Sequence, residues 1–337
     1  MSGTVFLVEK NSSKPKMRNR HFFEYTVVLE QKCLLYEENT HQHLNELLKQ
    51  NTFYAEEMSR HKKLSNSYMK FSSTAEEKEY NRQRSKIYAI TPTFARPVQK
   101  AELTRLAQTF IHVPTFHWIL VEDSINKTNL VSILLKESGL SYTHLNAATP
   151  PNYKLGRNDP NWKKPRGVEQ RNAALKWLRE NLTENDNGIV FFADDDNTYS
   201  VKLFDEMEKI THVGVWPVGL VGGLMVEKPI CDKETNKVIG FNSAWKPDRP
   251  FPIDMAGFAF NLKLLFKNKD AWFSFETLPG HQESEILKHI TTREQLQPLA
   301  DFCTKVYVWH TRTEPPKLSA EQLLIKKGKR SNEGIEV

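Results

Sequence analysis

What the chain has little of narrows it first. Its 337 residues include three cysteines, Cys33, Cys231 and Cys303, an odd number with no CxxC spacing. That pattern signals neither a disulfide framework nor a zinc site, and buried free thiols are the expected state. Long hydrophobic runs are missing as well. The longest, residues 213–226, is only fourteen residues and is broken by four glycines and Pro217. It is too short for a bilayer span and reads as buried strand and turn. The apolar patch at 26–29 stops at Glu30, so neither a cleavable signal nor a membrane anchor is expected. Charge of one sign never accumulates: the net charge is +6, yet no block of five or six like charges occurs, which argues against a nucleic-acid partner.

What remains is ordinary globular material, 39% hydrophobic and 26% charged, enough for one large or two modest domains. Acceptor sequons for N-glycosylation stand at Asn11, Asn126 and Asn181 and matter only in a secretory lumen. Residues 1–84 are polar and glycine-poor after Gly3, with Leu44, Leu47 and Leu48 at helical spacing; they read as a solvated helical stalk. From Lys86 the texture changes. Strands are expected at 87–90, 118–121, 142–145 and 188–193, alternating with helices at 99–113, 129–137 and 168–182, a βαβ rhythm that predicts an α/β sheet. Beyond 226 the pattern is mixed, with short strands at 238–241, 258–261 and 305–309 and one helix at 283–290. No internal repeat is present.

The strand at 188–193 ends abruptly in Asp194, Asp195 and Asp196, at the sheet edge where open α/β folds place ligands. Three adjacent carboxylates repel one another unless a cation neutralises them, and hard oxygen ligands suit magnesium or manganese. The alternative is an acidic turn capping the helix that begins near Ser200, and the triplet alone leaves both open. An EF-hand loop fits worse, because its central glycine and its twelfth-position glutamate are absent. Close by in sequence, Arg166 and Arg171 stand five apart at a helix start. Guanidinium forks match phosphate and carboxylate oxygens, although paired arginines on a helix also commonly form a solvated face.

Several long blocks occur in unbroken order: TPTFAR at 91–96, VED at 121–123, PRGVEQRN at 165–172, FADDDNTYS at 192–200, WPVGLVGG at 216–223, PFPIDMAGF at 250–258 and VWHTRTE at 308–314. Together they closely resemble the β-1,3-glucuronyltransferases of glycosyltransferase family 43, and the closing IEV at 335–337 looks like a family ending. The resemblance implies an α/β fold of GT-A type, with a mixed central sheet flanked by helices. It implies inverting transfer of glucuronate from UDP-glucuronate to the 3-hydroxyl of a terminal β-galactose, with Mn2+ as cofactor. The expected acceptor is the galactose-galactose-xylose linker of proteoglycans. The alternatives are N-acetyllactosamine ends of glycoproteins or glycolipids, and an inactive homologue that only binds sugar nucleotide. A homodimer and a Golgi location follow from the same resemblance. So does a division into a stem-like region 1–84, a catalytic domain 85–316 with a UDP-sugar half 85–200 and an acceptor half 201–316, and a polar tail 317–337.

Roles carry over by position. Asp196 is expected to ligate the metal, Asp195 to bind the ribose and Asp194 to support them. Pro92, Thr93, Phe94 and Asp123 are expected to hold the uridine, Phe94 standing where the family often has tyrosine. Arg166 and Arg171 match donor-contacting arginines, and His310 and Arg312 are expected to reach the diphosphate. Direct displacement needs a base to take the acceptor proton, and Glu283, in GHQES at 280–284, matches that position. Read without the family, Glu283 is a favourable helix-start carboxylate. Pro279 departs from a basic residue found in some relatives. Glu227, Trp245, Arg249 and Asp254 are the expected acceptor contacts, a tryptophan face for the galactose ring and charged groups for its hydroxyls.

Overall fold

The first strand, β1 (Lys86–Thr93), sends Ile87 and Ala89 into one core and Tyr88 and Ile90 into another. Strand β4 (Gly188–Phe192) repeats the division, with Ile189 and Phe191 on one face and Val190 and Phe192 on the other. Alternate side chains point to opposite faces of a strand, so a sheet covered on both sides demands apolar residues at every position. That is why these segments read as continuous hydrophobic runs. The computed structural model describes residues 42, 48, 52 and 84–334, apart from 157, 158, 161, 162, 312 and 315. Most of the expected stalk, Cys33, the Asn11 sequon, Arg312 and the ending at 335–337 lie outside the described residues.

The chain divides into two units, Met1–Lys78 and Glu79–Val337. In the first, the described positions Gln42, Leu48 and Thr52 are helical. The second unit adds β2 (Phe116–Glu122) and β3 (Tyr142–Asn146) parallel to β1. Helices α1 (Gln99–Phe110) and α2 (Asn129–Glu137) cover one face with Leu103, Leu106, Phe110, Val131 and Leu135. Helix α3 (Val168–Asn181) covers the other with Val168, Ala174, Leu175 and Leu178. After β5 (Thr198–Tyr199), α4 (Val201–Met207) returns to the first face through Leu203 and Phe204.

The expected buried run at 213–226 divides into β6 (Val213–Val215), β7 (Val218–Val221) and the start of β8 (Leu224–Asp232), followed by β9 (Lys237–Asn242). Strand β10 (Phe258–Asn261) lies antiparallel between β4 and β6. Then come α5 (Lys263–Lys267), α6 (Gln282–Ile290), β11 (Leu296–Pro298) and β12 (Val308–Trp309). Two sheets result: seven strands in the order β11-β6-β10-β4-β1-β2-β3 and five in the order β5-β12-β7-β8-β9. A mixed central sheet flanked by helices is the α/β architecture expected from the sequence.

Two expectations are corrected. Cys231 and Cys303 are joined in a disulfide, where free thiols were expected. Residues 300–303 all take positive φ, a left-handed turn that brings Cys303 to within 6.3 Å, Cα to Cα, of Cys231 on β8, inside the span a disulfide can bridge. A separation of 72 residues hides that approach from the sequence. The same turn shortens the strand expected at 305–309 to Val308–Trp309. The polar tail also carries a helix, α7 (Ser319–Lys326).

Candidate functional site

The carboxyl ends of β1, β2 and β4 meet along one edge of the sheet. The Asp123 amide donates to the Thr93 carbonyl at 2.7 Å, and the Ala193 amide to the Ile90 carbonyl at 2.8 Å. Backbone pairing thus sets Pro92, Thr93, Asp123 and the aspartate triplet side by side, at the edge where such sheets bind ligands. The helix-cap reading of the triplet fails here. Helix α4 is capped by the Ser200 hydroxyl, which accepts from the Lys202 amide, so the aspartates are left for other work.

Each aspartate has a different environment. Asp194 pairs with the buried Arg171 guanidinium at 2.5 Å. Asp195 accepts from the Thr93 hydroxyl at 2.7 Å and from Arg96 at 2.8 Å. Burial pushes the Asp196 carboxyl up to about 6, and the charges of Asp194 and Asp195 add to the shift. Among the described residues no three His, Cys, Asp or Glu side chains converge on one point. A magnesium-like or manganese-like ion needs no such cage, since one or two carboxylates with phosphate and water oxygens suffice. The donor set therefore fits a divalent cation, and Asp196 is the carboxylate whose charge it would relieve.

Around the triplet, Phe94 presents a ring that is 49% exposed, with the Arg96 guanidinium 4.6 Å from its centroid. Both Asp123 oxygens are taken by Thr149, by its amide at 2.7 Å and its hydroxyl at 2.8 Å. The two arginines of the 165–172 block part company. Arg166 is exposed and lends its carbonyl to Arg171, at 2.9 Å. Gly167 between them has φ of +73°, and a Cβ there would meet the Arg171 guanidinium at 2.5 Å; glycine meets both demands.

The second group lies on the later elements. Glu283 enters in the first turn of α6, and burial lifts its carboxyl to about 7, opposed by Arg249 and reinforced by Asp254. Arg249 stands 3.7 Å from Glu283 and 4.0 Å from Glu227 and donates to the Gly280 carbonyl at 2.8 Å. Glu227, on β8, accepts from Ser243 at 2.5 Å. Trp245 is 39% exposed and lies so close to Gly280 that a Cβ there would meet its indole nitrogen at 2.5 Å. Near the departed basic position, Lys246 donates to the Pro279 carbonyl at 2.7 Å.

Asp254 connects the two groups. Its carboxylate sits 3.2 Å from Nδ1 of His310. Burial opposes the Asp254 charge, but the adjacent His310 ring, the Ala256 amide and the Arg249 charge together outweigh it and hold the carboxyl below its ordinary range. Burial likewise disfavours a charged His310 ring, and Asp254, Asp194 and Asp196 override it, raising the ring to about 9. These charges favour the imidazolium form of His310, which lies between the triplet and Asp254. The expected residues other than Arg312 can all be located, and Glu283, Arg249, Glu227, Asp254, His310 and Asp196 form one electrostatically connected cluster.

Sequence reasoning passed over Thr149, Ser243, Arg96, Glu102 and Thr313. Arg96 and Thr313 fall inside quoted blocks without a role. Glu102 looks like any acid in a first helical turn, where carboxylates are favourable anyway, and nothing in the sequence points from it to residue 313.

Residues 106–314, which include this cluster, match the model of glycosyltransferase family 43. The chain belongs to glycosyltransferase family 43. Among its relatives, galactosylgalactosylxylosylprotein 3-beta-glucuronosyltransferase I of Drosophila melanogaster is 60% identical over 74% of this chain and 83% of its own length. Galactosylgalactosylxylosylprotein 3-beta-glucuronosyltransferase 3 of Homo sapiens is 51% identical over 74% of this chain and 77% of its own. A solved structure of Staphylococcus aureus TarS, residues 1–349, aligns with a TM-score of 0.44 at 17% identity, covering 67% of this chain and 60% of that one.

Proposed function

We propose that the chain is a metal-assisted inverting transferase that moves glucuronate from UDP-glucuronate to the 3-hydroxyl of the terminal β-galactose in the galactose-galactose-xylose linker of proteoglycans. The observation that carries this reading is the Asp254–His310 pair, which joins a desolvated carboxyl at Glu283 to the acidic triplet. Glu283 takes the proton of the acceptor hydroxyl as its oxygen bonds to the anomeric carbon, while the bond from that carbon to the phosphate oxygen breaks on the opposite face. A carboxyl lifted to about 7 is matched to that task near neutrality. The leaving UDP gathers negative charge, which the His310 imidazolium offsets. A divalent ion, when bound at Asp196, supplies Lewis-acid stabilisation to the same diphosphate.

Phe94 supplies a face for the uracil, and Asp195, held by Thr93 and Arg96, takes the ribose. Arg166, exposed and with its carbonyl bonded to Arg171, meets the glucuronate carboxylate, while Arg171 holds Asp194. Trp245 offers the galactose its exposed ring, and Glu227, Arg249 and Asp254 take its hydroxyls. The fly and human relatives are named for transfer to galactosylgalactosylxylosylprotein, which supports this acceptor over N-acetyllactosamine.

The compartment belongs to the same reading: the Golgi lumen. A disulfide at Cys231–Cys303 is typical of an oxidising environment, and the exposed sequons at Asn126 and Asn181 fit a secretory lumen. No described helix is long and apolar enough to cross a membrane. The reading also includes a homodimer, supported by the exposed Leu318, Leu323 and Ile325 on and beside α7, and light scattering of the full chain tests it. The activity is tested with radiolabelled UDP-glucuronate, UDP-glucose and UDP-galactose against both acceptors, with Mn2+ or with chelator. Transfer of glucuronate alone, to the linker trisaccharide and only with metal, is the expected result. Absence of transfer to either acceptor overturns it.

A further inference from the structure

A chain of five side chains crosses the donor edge of the sheet and ends outside the residues given a role above. The Thr93 hydroxyl and the Arg96 guanidinium both donate to one oxygen of Asp195, at 2.7 Å and 2.8 Å. Arg96 also donates to Glu102, on the first turn of α1, and the Thr313 hydroxyl donates to the other Glu102 oxygen. Glu102 is only 3% exposed, so these partners carry the cost of its burial. From the other side, the Thr311 hydroxyl donates to the Asp196 carbonyl at 2.7 Å. The His310 amide donates to the Gly219 carbonyl at 2.8 Å. His310, Thr311 and Thr313 are therefore each fastened, the first two against the sheet edge and the last against a buried carboxylate contributed by α1.

From this arrangement we infer that Glu102 is a positioning residue. Through Thr313 it latches the segment bearing His310 over the donor site, and through Arg96 it sets the orientation of Asp195. The inference rests on the donor-site reading above and adds that two halves of that site, more than a hundred residues apart in sequence, are set by a single carboxylate. A buried charge that accepts from a guanidinium and a hydroxyl at once resists displacement, because freeing either donor leaves the carboxylate undersolvated. The orientation of Asp195 and the placement of His310 consequently rise and fall together.

The test uses the Thr313 side, because that residue is exposed and its loss leaves α1 intact. Thr313→Val removes the donated hydrogen, Thr313→Ser restores it, and Glu102→Gln keeps an acceptor for Thr313 while removing the charge beside Arg96. Two readouts are taken on the full chain: amide hydrogen exchange of peptides covering 308–314, and KM for UDP-glucuronate with acceptor KM as reference. Exchange in Thr313→Val should quicken and donor KM rise roughly tenfold, the loss expected of one charge-assisted hydrogen bond. Acceptor KM and melting temperature should hold, and Thr313→Ser should return both readouts. Glu102→Gln should raise donor KM further, since it weakens both connections. Unchanged exchange in Thr313→Val overturns the latch whatever the substrate proves to be. Quickened exchange with unchanged donor KM, in a wild type that transfers glucuronate, overturns the positioning role. A wild type that does not bind UDP-glucuronate sinks the functional reading instead, and the exchange result then decides the latch by itself.

Discussion

The Asp254 carboxylate and the His310 ring lie 3.2 Å apart and oppose each other's desolvation, the acid held below its ordinary range and the imidazole raised to about 9. Each is half-buried, and each charge is costly there without the other. The pair spans the acceptor-side residues and the triplet, so its titration should be visible both in stability and in turnover.

For stability the sign follows from the raised histidine. A group whose folded value exceeds its unfolded 6.5 contributes stability that is fully present below pH 6.5 and is lost as pH rises through about 9. The unfolding free energy of the wild type should fall across that window by on the order of 3 kcal/mol. In Asp254→Asn the same window should be nearly flat. Urea denaturation at half-unit pH steps measures the difference.

For turnover, Glu283 must be ionised to accept a proton, and its carboxyl sits at about 7. The value of kcat/KM should climb as pH passes upward through 7 and decline again as His310 loses its proton near 9. In His310→Gln the alkaline decline should disappear while the acid limb stays. An acid limb at pH 4 to 5 in the wild type would remove Glu283 from the role of base.

Glu283→Gln should lower kcat by a hundredfold or more, roughly the contribution of a positioned general base, with the dissociation constant for UDP nearly unchanged. Single-turnover kinetics and calorimetry on the same preparation separate the two effects. Wild-type turnover in this variant would send the search for the base elsewhere.

Asp196→Asn removes the carboxylate whose charge is least compensated in the triplet. UDP binding in the presence of Mn2+ should weaken by roughly ten- to a hundredfold, about 1.4 to 2.7 kcal/mol, and should no longer respond to chelator. Asp194→Asn should act differently: it frees the buried Arg171 guanidinium, so stability falls along with binding.

Opening the Cys231–Cys303 bridge releases a loop of 72 residues, for which chain entropy gives roughly 4 kcal/mol of lost stability. The double variant Cys231→Ser, Cys303→Ser should unfold at lower denaturant, and reductant should move the wild type to the same midpoint. No shift on reduction would mean the bridge contributes little to the folded state.

Much of the scaffold was legible because its causes are local. Helix 129–137 and strand 258–261 were expected at the bounds they occupy, since apolar spacing and turn chemistry act over a few residues. The triplet was recognisable as chemistry, but its division was not. Which aspartate meets Arg171, which meets Arg96 and which is left for a cation depends on strands and helices brought together from distant positions. The strand expected at 305–309 is shorter for a similar reason, because the Lys305 amide is drawn back to the Ala300 carbonyl of a left-handed turn tied to β8.

The sequence by itself determined the alternating α/β scaffold, the acidic strand end and, through motif blocks held in order, the family. These depend on side-chain period and residue type, which the chain carries along its length. Only the tertiary structure decided that Asp254 reaches His310, that Cys231 meets Cys303, and that a glutamate in an unremarked first turn, Glu102, receives both Arg96 and Thr313. Each of those pairings is made at long range or across a turn, and its energy exists only once folding has brought the partners together and shielded at least one of them from water.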